Sequence, residues 1–254
     1  MRNVKRVLVV GAGAGGAGIA HLCAQAGLDT ALVDATDESG ADLEAATERA
    51  DLVIEAITED LDAKQSLLQR LDTLCPPDVV LATGTGQYQV SRVAQRCVHR
   101  DRVVGIHWSN APLSTSLVEI VPAGQSAPAV IEAVKEFVRA CGRQFVVVRK
   151  DVPGFISNRL RMAMFMEAIR LVDEGVATVQ DVDRVARGMY RHPTGPLETL
   201  DLVGLDNAAA AAASMAAYYE DDRFAAAPLL AAMVARGETG SASGKGFYEH
   251  TVRG

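Results

Sequence analysis

Residues 5–34 read KRVLVVGAGAGGAGIAHLCAQAGLDTALVD, and this stretch decides the fold. Val7-Leu8-Val9-Val10 is an apolar, β-branched run suited to a strand buried on both faces. Gly11, Gly13 and Gly16 follow as G-x-G-x-x-G. Ala14 to Ala26 is Ala-rich and helix-permitting, Gly27 ends that helix, and Thr30-Ala31-Leu32-Val33 begins a second strand that stops at Asp34. In this order Gly11 turns the chain, Gly13 leaves room for a pyrophosphate beside the backbone, and Gly16 lets helix and strand pack closely. Ala12 and Ala14 complete the loop, and the helix N-terminus presents free N–H groups and a positive dipole end to the phosphates. Asp34, 23 residues after Gly11, is placed to accept hydrogen bonds from ribose hydroxyls and to repel a 2′-phosphate. The predicted cofactor is therefore NAD rather than NADP. A Gly-rich turn in another α/β protein would have the glycines, but not the flanking strands and the acid together.

Further along, short apolar runs alternate with helical segments: Asp51 to Ile57, Val79 to Ala82, Arg102 to His107, Leu117 to Val121 and Phe145 to Val148 read as strands. Helices are expected over 61–74, 89–98 and 127–141. Strand signals stop at Asp151-Val152-Pro153-Gly154, and helices are expected over 155–174, 178–189 and from Asn207 onward. The fold class is α/β, a Rossmann-type doubly wound sheet followed by an all-helical C-terminal domain, with domains at 1–150 and 151–254.

The 254 residues carry a net charge of −7, and neither domain is basic, so nucleic acid and anionic membranes are not expected partners. No apolar run reaches a membrane span, and MRNVKR followed by a strand does not read as a secretory leader, so none is expected. The four cysteines have no C-x-x-C spacing and read as reduced thiols of a cytoplasmic protein. No cluster has metal-ligand spacing, so no metal is expected.

A second constellation is RVVGIHWSNAPLSTSLVEIV, residues 102–121. His107 ends one strand, Glu119 lies in the next, and Asn110 lies between them. A His at a strand's C-terminal edge beside a nicotinamide can take a proton from an alcohol, and a carboxylate can fix its tautomer. Asn110 can donate to a carbonyl or alkoxide oxygen. Spacing alone leaves open a buried structural His and an unrelated strand Glu.

The chain resembles the L-3-hydroxyacyl-CoA dehydrogenase family along nearly its whole length. GAGAGGAGIA is similar to that family's nucleotide loop, GIHWSNAPLSTSLVEIV to its His-containing signature, and DVPGFISNRL, PLETLDLVGLD and SGKGFYEH to its helical-domain motifs. The resemblance implies His107 as catalytic base with Glu119 as its orienting partner, Asn110 and Asn158 near the substrate, and Glu59 and Lys64 in contact with NAD. It also implies a helical domain that forms a homodimer.

The sequence departs from this pattern twice. The family's loop serine, which contacts the substrate oxygen, falls at Gly86, leaving Thr85, Gln87 or a water to replace it at the substrate-binding loop. Only 16 residues separate Asp34 from Asp51, where the family has a helical hairpin that holds coenzyme A. The expected reaction is NAD-dependent interconversion of a 3-hydroxyacyl thioester and its 3-oxoacyl form. The acyl group would ride on a carrier protein, as in similar shortened enzymes of secondary metabolism that make polyketide extender units. Arg159, Arg161 and Arg191 are candidate carrier contacts. A free 3-hydroxy acid as substrate, and a non-catalytic nucleotide-binding paralogue, are the alternatives.

Overall fold

The computed structural model describes residues 4–34, 41–108 and 112–251. They form two compact units, Met1–Ser157 and Asn158–Gly254.

The first unit is built on seven strands: β1 (Arg6–Val10), β2 (Asp29–Val33), β3 (Leu52–Glu55), β4 (Val80–Thr83), β5 (Val103–His107), β6 (Leu117–Pro122) and β7 (Gln144–Val147). They lie in the order β2-β1-β3-β4-β5-β6-β7. Every neighbouring pair is parallel except β5–β6, which is antiparallel. Along β1, Val7 and Val9 enter one core while Leu8 and Val10 enter the other, the alternation a pleated strand imposes when both faces are covered. Helices α1 (Ala14–Gln25) and α5 (Pro128–Ala140) cover the first face through Ile19, Leu22, Val134 and Phe137. Helices α2 (Ala41–Arg49), α3 (Leu61–Leu74) and the single turn α4 (Val90–Val93) cover the other, with Leu43, Leu68, Leu71 and Val93. Each such side chain contributes about 1.5–3 kcal/mol on burial.

The second unit packs α6 (Ser157–Asp173), α7 (Val179–Met189), α8 (Pro196–Val203), α9 (Leu205–Tyr219) and α10 (Pro228–Ala235) around one core that includes Met166, Ile169, Leu197, Leu200, Leu205 and Leu230. Its closing segment is tied down by two buried carboxylates. Asp201 accepts from the backbone N–H of Phe247 and Tyr248, both at 2.9 Å, and pairs with His250 Nε2 at 2.7 Å. Asp183 accepts from Leu197 N–H at 2.9 Å and from the Tyr248 hydroxyl at 2.8 Å. A Cβ on Gly246 would stand 2.1 Å from Asp201 Oδ1, so this approach requires glycine. Asp201→Ala strands two partly buried N–H groups and is expected to destabilise the protein by about 3 kcal/mol, read from urea denaturation of variant and parent.

Two expectations are corrected. The helix expected over 155–174 starts at Ser157, because Gly154 (φ 76°) and Phe155 (φ 45°) sit in the left-handed region and cannot join a right-handed helix. The helix expected over 89–98 is α4 followed by a 3-10 turn, Ala94–Arg96. There the N–H groups of Val98 and His99 bond Asp72 Oδ2 at 2.7 and 3.1 Å instead of the preceding turn.

Candidate active site

The loop after β1 is shaped as its glycines require. Gly11 has φ 116°, and a Cβ there would meet Ala56 O at 2.7 Å; a Cβ on Gly16 would meet Gly11 O at 1.9 Å. Gly13 is different: a Cβ there would meet nothing within 4 Å, so its backbone borders open space. Gly13 is also the N-cap of α1 and has no side chain to occupy the helix's first N–H groups. Gly11, Ala12 and Gly13 line a cavity of about 530 Å³ with Asp34, with Ala56, Ile57 and Thr58 after β3, and with Ser66, Leu67 and Arg70 of α3. Ala14 opens α1 behind this loop. The cavity sits where the chain reverses its winding direction, at the C-terminal ends of β1 and β3. Open backbone, uncapped helix start and an exposed acid at the tip of β2 together fit an adenine dinucleotide: diphosphate on Gly13 and α1, ribose on Asp34. Asp34→Ser is expected to weaken NADH binding by about tenfold, the low end for a hydrogen bond to an exposed charged group. It should also narrow the preference over NADPH, which comparative fluorescence titration would show.

Glu59 and Lys64 do not line this cavity; they organise the loop after β4. The Lys64 ammonium is buried and reaches Glu55 Oε1 at 2.7 Å, Ile57 O at 3.2 Å and Glu59 Oε2 at 3.3 Å, which uses its three protons. Glu55 also accepts from the Thr83 hydroxyl at 2.7 Å. Glu59 Oε1 then accepts the Thr85 hydroxyl and the N–H groups of Gly86 and Gln87, the last two at 3.1 Å. The sequence marked Glu59 and Lys64 but missed Glu55; its signal was an acid inside an otherwise apolar strand.

This network corrects the expectation for Thr85. Its hydroxyl donates to Glu59 and accepts from the N–H of Tyr88 at 3.1 Å and of Gln87 at 3.4 Å, and the residue is fully buried. One proton and two lone pairs are all committed, so Thr85 holds the loop and does not offer its hydroxyl to a substrate.

β5 and β6 form an antiparallel hairpin whose register places His107 directly opposite Glu119. His107 Nδ1 lies 2.7 Å from Glu119 Oε2, with both side chains buried. Burial pushes the Glu119 carboxyl up, but hydrogen bonds from His107, the Ser157 hydroxyl and Ser157 N–H outweigh it and hold the group below the usual carboxylate range. An ionised carboxylate only accepts, so Nδ1 carries the proton and Nε2 of the neutral ring has the free lone pair. Phe155 stands edge-on to the imidazole, ring centres 5.6 Å apart. The pair therefore presents a base of fixed tautomer backed by a negative charge.

Asn110 lies outside the described residues. Asn158 belongs to the second unit, where its carbonyl oxygen accepts from Arg161 Nη2 at 2.6 Å. Arg159 lies 4.1 Å over the Tyr219 ring. Two of the three arginines expected to meet a carrier are thus engaged within their own unit, and Arg191 is exposed with φ 59°. Among the described residues no helix is long and apolar enough to cross a membrane.

A Rossmann-type sheet with a dinucleotide cradle and a histidine–carboxylate pair on its β5–β6 hairpin defines an NAD-dependent oxidoreductase. Residues 38–152 match the family description "3-hydroxyacyl-CoA dehydrogenase, NAD binding domain", and residues 154–250 match that family's C-terminal domain. The chain belongs to the 3-hydroxyacyl-CoA dehydrogenase family. It is 31% identical to a probable 3-hydroxybutyryl-CoA dehydrogenase of Bacillus subtilis, covering 98% of each chain. Among solved structures it is similar to FadB2 of M. tuberculosis (TM-score 0.89, 32% identity, 98% of this chain and 100% of that one). It is also similar to the (S)-3-hydroxybutyryl-CoA dehydrogenase PaaH1 of Ralstonia eutropha (TM-score 0.89, 29% identity, 98% and 99%).

Proposed function

We propose that this protein interconverts a 3-hydroxyacyl thioester and its 3-oxoacyl form, with His107 as the proton-transfer group, and that the thioester is carried by a carrier protein rather than by coenzyme A. The observation that supports the chemistry best is the His107–Glu119 pair, held at 2.7 Å in one tautomer. Bound NAD supplies two-electron hydride exchange with a carbinol carbon. In the oxidation direction His107 Nε2 accepts the hydroxyl proton, and the Glu119 carboxylate stabilises the imidazolium that results. In reduction the same Nε2–H donates to the 3-oxo oxygen. Gly86 has no hydroxyl and that of Thr85 is committed to Glu59, so within the loop Gln87 or a water is left to contact that oxygen, beside the Asn110 and Asn158 that the family resemblance implies.

The carrier reading is supported by what the connection between β2 and β3 contains. Among its described residues the helical content is the nine-residue α2. The alignment with the Bacillus relative runs over 283 residues although this chain has 254, so the relative holds segments that have no counterpart here. A pantetheine thioester on a carrier would need no adenine pocket of its own. Exposed Leu160, Val176, Met189 and Tyr190 on the second unit support a homodimer formed through that unit.

The test offers one 3-oxoacyl group in three forms, with NADH: on coenzyme A, on a holo carrier protein, and as the free acid. The expected result is turnover on the carrier at least tenfold above that on coenzyme A. Equal or faster turnover on coenzyme A would overturn the carrier reading, and turnover on the free acid alone would overturn the thioester.

A further inference from the structure

Glu119 does more than face His107. Oε2 accepts from His107 Nδ1–H at 2.7 Å and from the Ser157 hydroxyl at 2.5 Å. Oε1 accepts from the N–H groups of Ile156 at 2.9 Å and Ser157 at 3.0 Å. All four in-plane lone-pair positions of the carboxylate are thereby filled. The turn at Gly154 and Phe155, both at positive φ, presents these two N–H groups and the hydroxyl to one carboxylate. A serine at a helix start ordinarily turns its oxygen back to the N–H groups of its own first turn. Here the hydroxyl proton is directed onto Glu119 Oε2, the same atom that holds the imidazole.

We propose that Ser157 is a positioning residue of the His107–Glu119 pair: by donating to Oε2 it fixes the carboxylate's rotation and limits the negative charge that this oxygen presents to the imidazole. It thereby sets how readily His107 takes a proton. The role rests on the reading of His107 as the proton-transfer group. The groups that face Glu119 make the effect separable. From β5 comes His107; from the turn at Ile156 and Ser157, at the end of the first unit, come the uncharged hydroxyl and two backbone N–H groups. From β7 the residue opposite is the apolar Val146, and the ring edge-on to His107 is that of Phe155. With the hydroxyl removed, Oε2 keeps one donor, its charge is less dispersed, and the imidazolium is held more strongly.

The test is a proton-NMR titration of the histidine rings in the full chain without ligands, with the His107 signal identified by its loss in His107→Gln. In Ser157→Ala the His107 midpoint is expected to move to higher pH by about half a unit. Ser157→Thr, which keeps the hydroxyl, should restore it, and Ser157→Cys, a weak donor, should fall between. The acid limb of the kcat/KM profile for alcohol oxidation should move in the same direction. A midpoint unchanged or lowered in Ser157→Ala, even with lost stability, would overturn the proposal and leave Ser157 a purely structural contact. If no 3-oxoacyl thioester is turned over, the functional reading fails while the titration still judges Ser157.

Discussion

Replacing His107 with Gln is expected to slow turnover by about 10²–10⁴-fold, the range for losing a positioned general acid–base, while NADH affinity stays within about twofold. Gln fills much of the imidazole's volume and its amide can still donate to Glu119 Oε2, so the β5–β6 register is kept. What it cannot do is exchange a proton at the position of Nε2. The cofactor cavity is lined from β1, β2, β3 and α3, not by His107, which is why binding and chemistry separate. The pH dependence follows with a definite sign. Alcohol oxidation needs a base at Nε2 and reduction needs a proton there, so the two directions carry opposite pH dependence. Both dependences should vanish in the variant. Stopped-flow measurement of NADH consumption with paired binding titrations checks this, and a loss of less than about tenfold would remove His107 from the mechanism.

Lys64→Met is expected to cost about 3–5 kcal/mol of stability, the range for breaking a buried ion pair. Glu55 is wholly buried inside β3, and its Oε1 relies on Lys64 Nζ at 2.7 Å. Without the ammonium, that carboxylate must stay charged in an apolar strand or take up a proton on folding. The damage reaches the site as well, since Glu59 loses Lys64 and the loop from Thr85 to Tyr88 hangs on Glu59. Adding Glu55→Gln to Lys64→Met should recover part of the loss, because a neutral amide no longer strands a charge. Thermal denaturation of the parent, single and double variants tests both statements. A Lys64→Met protein with the parent's midpoint would show that the pair is dispensable.

Much of this architecture could be read from the chain. GAGAGGAG between two apolar runs, with Asp34 beyond, marks a nucleotide loop in the sequence, because close backbone approach and positive φ leave glycine few substitutes. His107 and Glu119 are legible as a candidate base and its orienting partner; the antiparallel register that sets them opposite each other is not spelled out by their spacing. The signal was present: nine residues between β5 and β6 are too few for a parallel crossover, so the strands had to pair antiparallel. Other parts were out of reach for physical reasons. Thr85 looks the same in sequence whether its hydroxyl is free or spent on Glu59. Ser157 lies 38 positions from Glu119, and nothing local announces that its proton crosses to that carboxylate. The early end of α4 depends on Asp72, a tertiary partner that overrides helix propensity. Asp183 and Asp201 read as ordinary helix-surface acids until the chain's last segment folds onto them.

The most direct test of the chemistry is NADH absorbance on mixing purified protein with a 3-oxoacyl pantetheine thioester, the portion common to coenzyme A and carrier substrates. Consumption of NADH with formation of the 3-hydroxyacyl thioester, abolished in His107→Gln, is the predicted result. NADH that binds but is not consumed would contradict it.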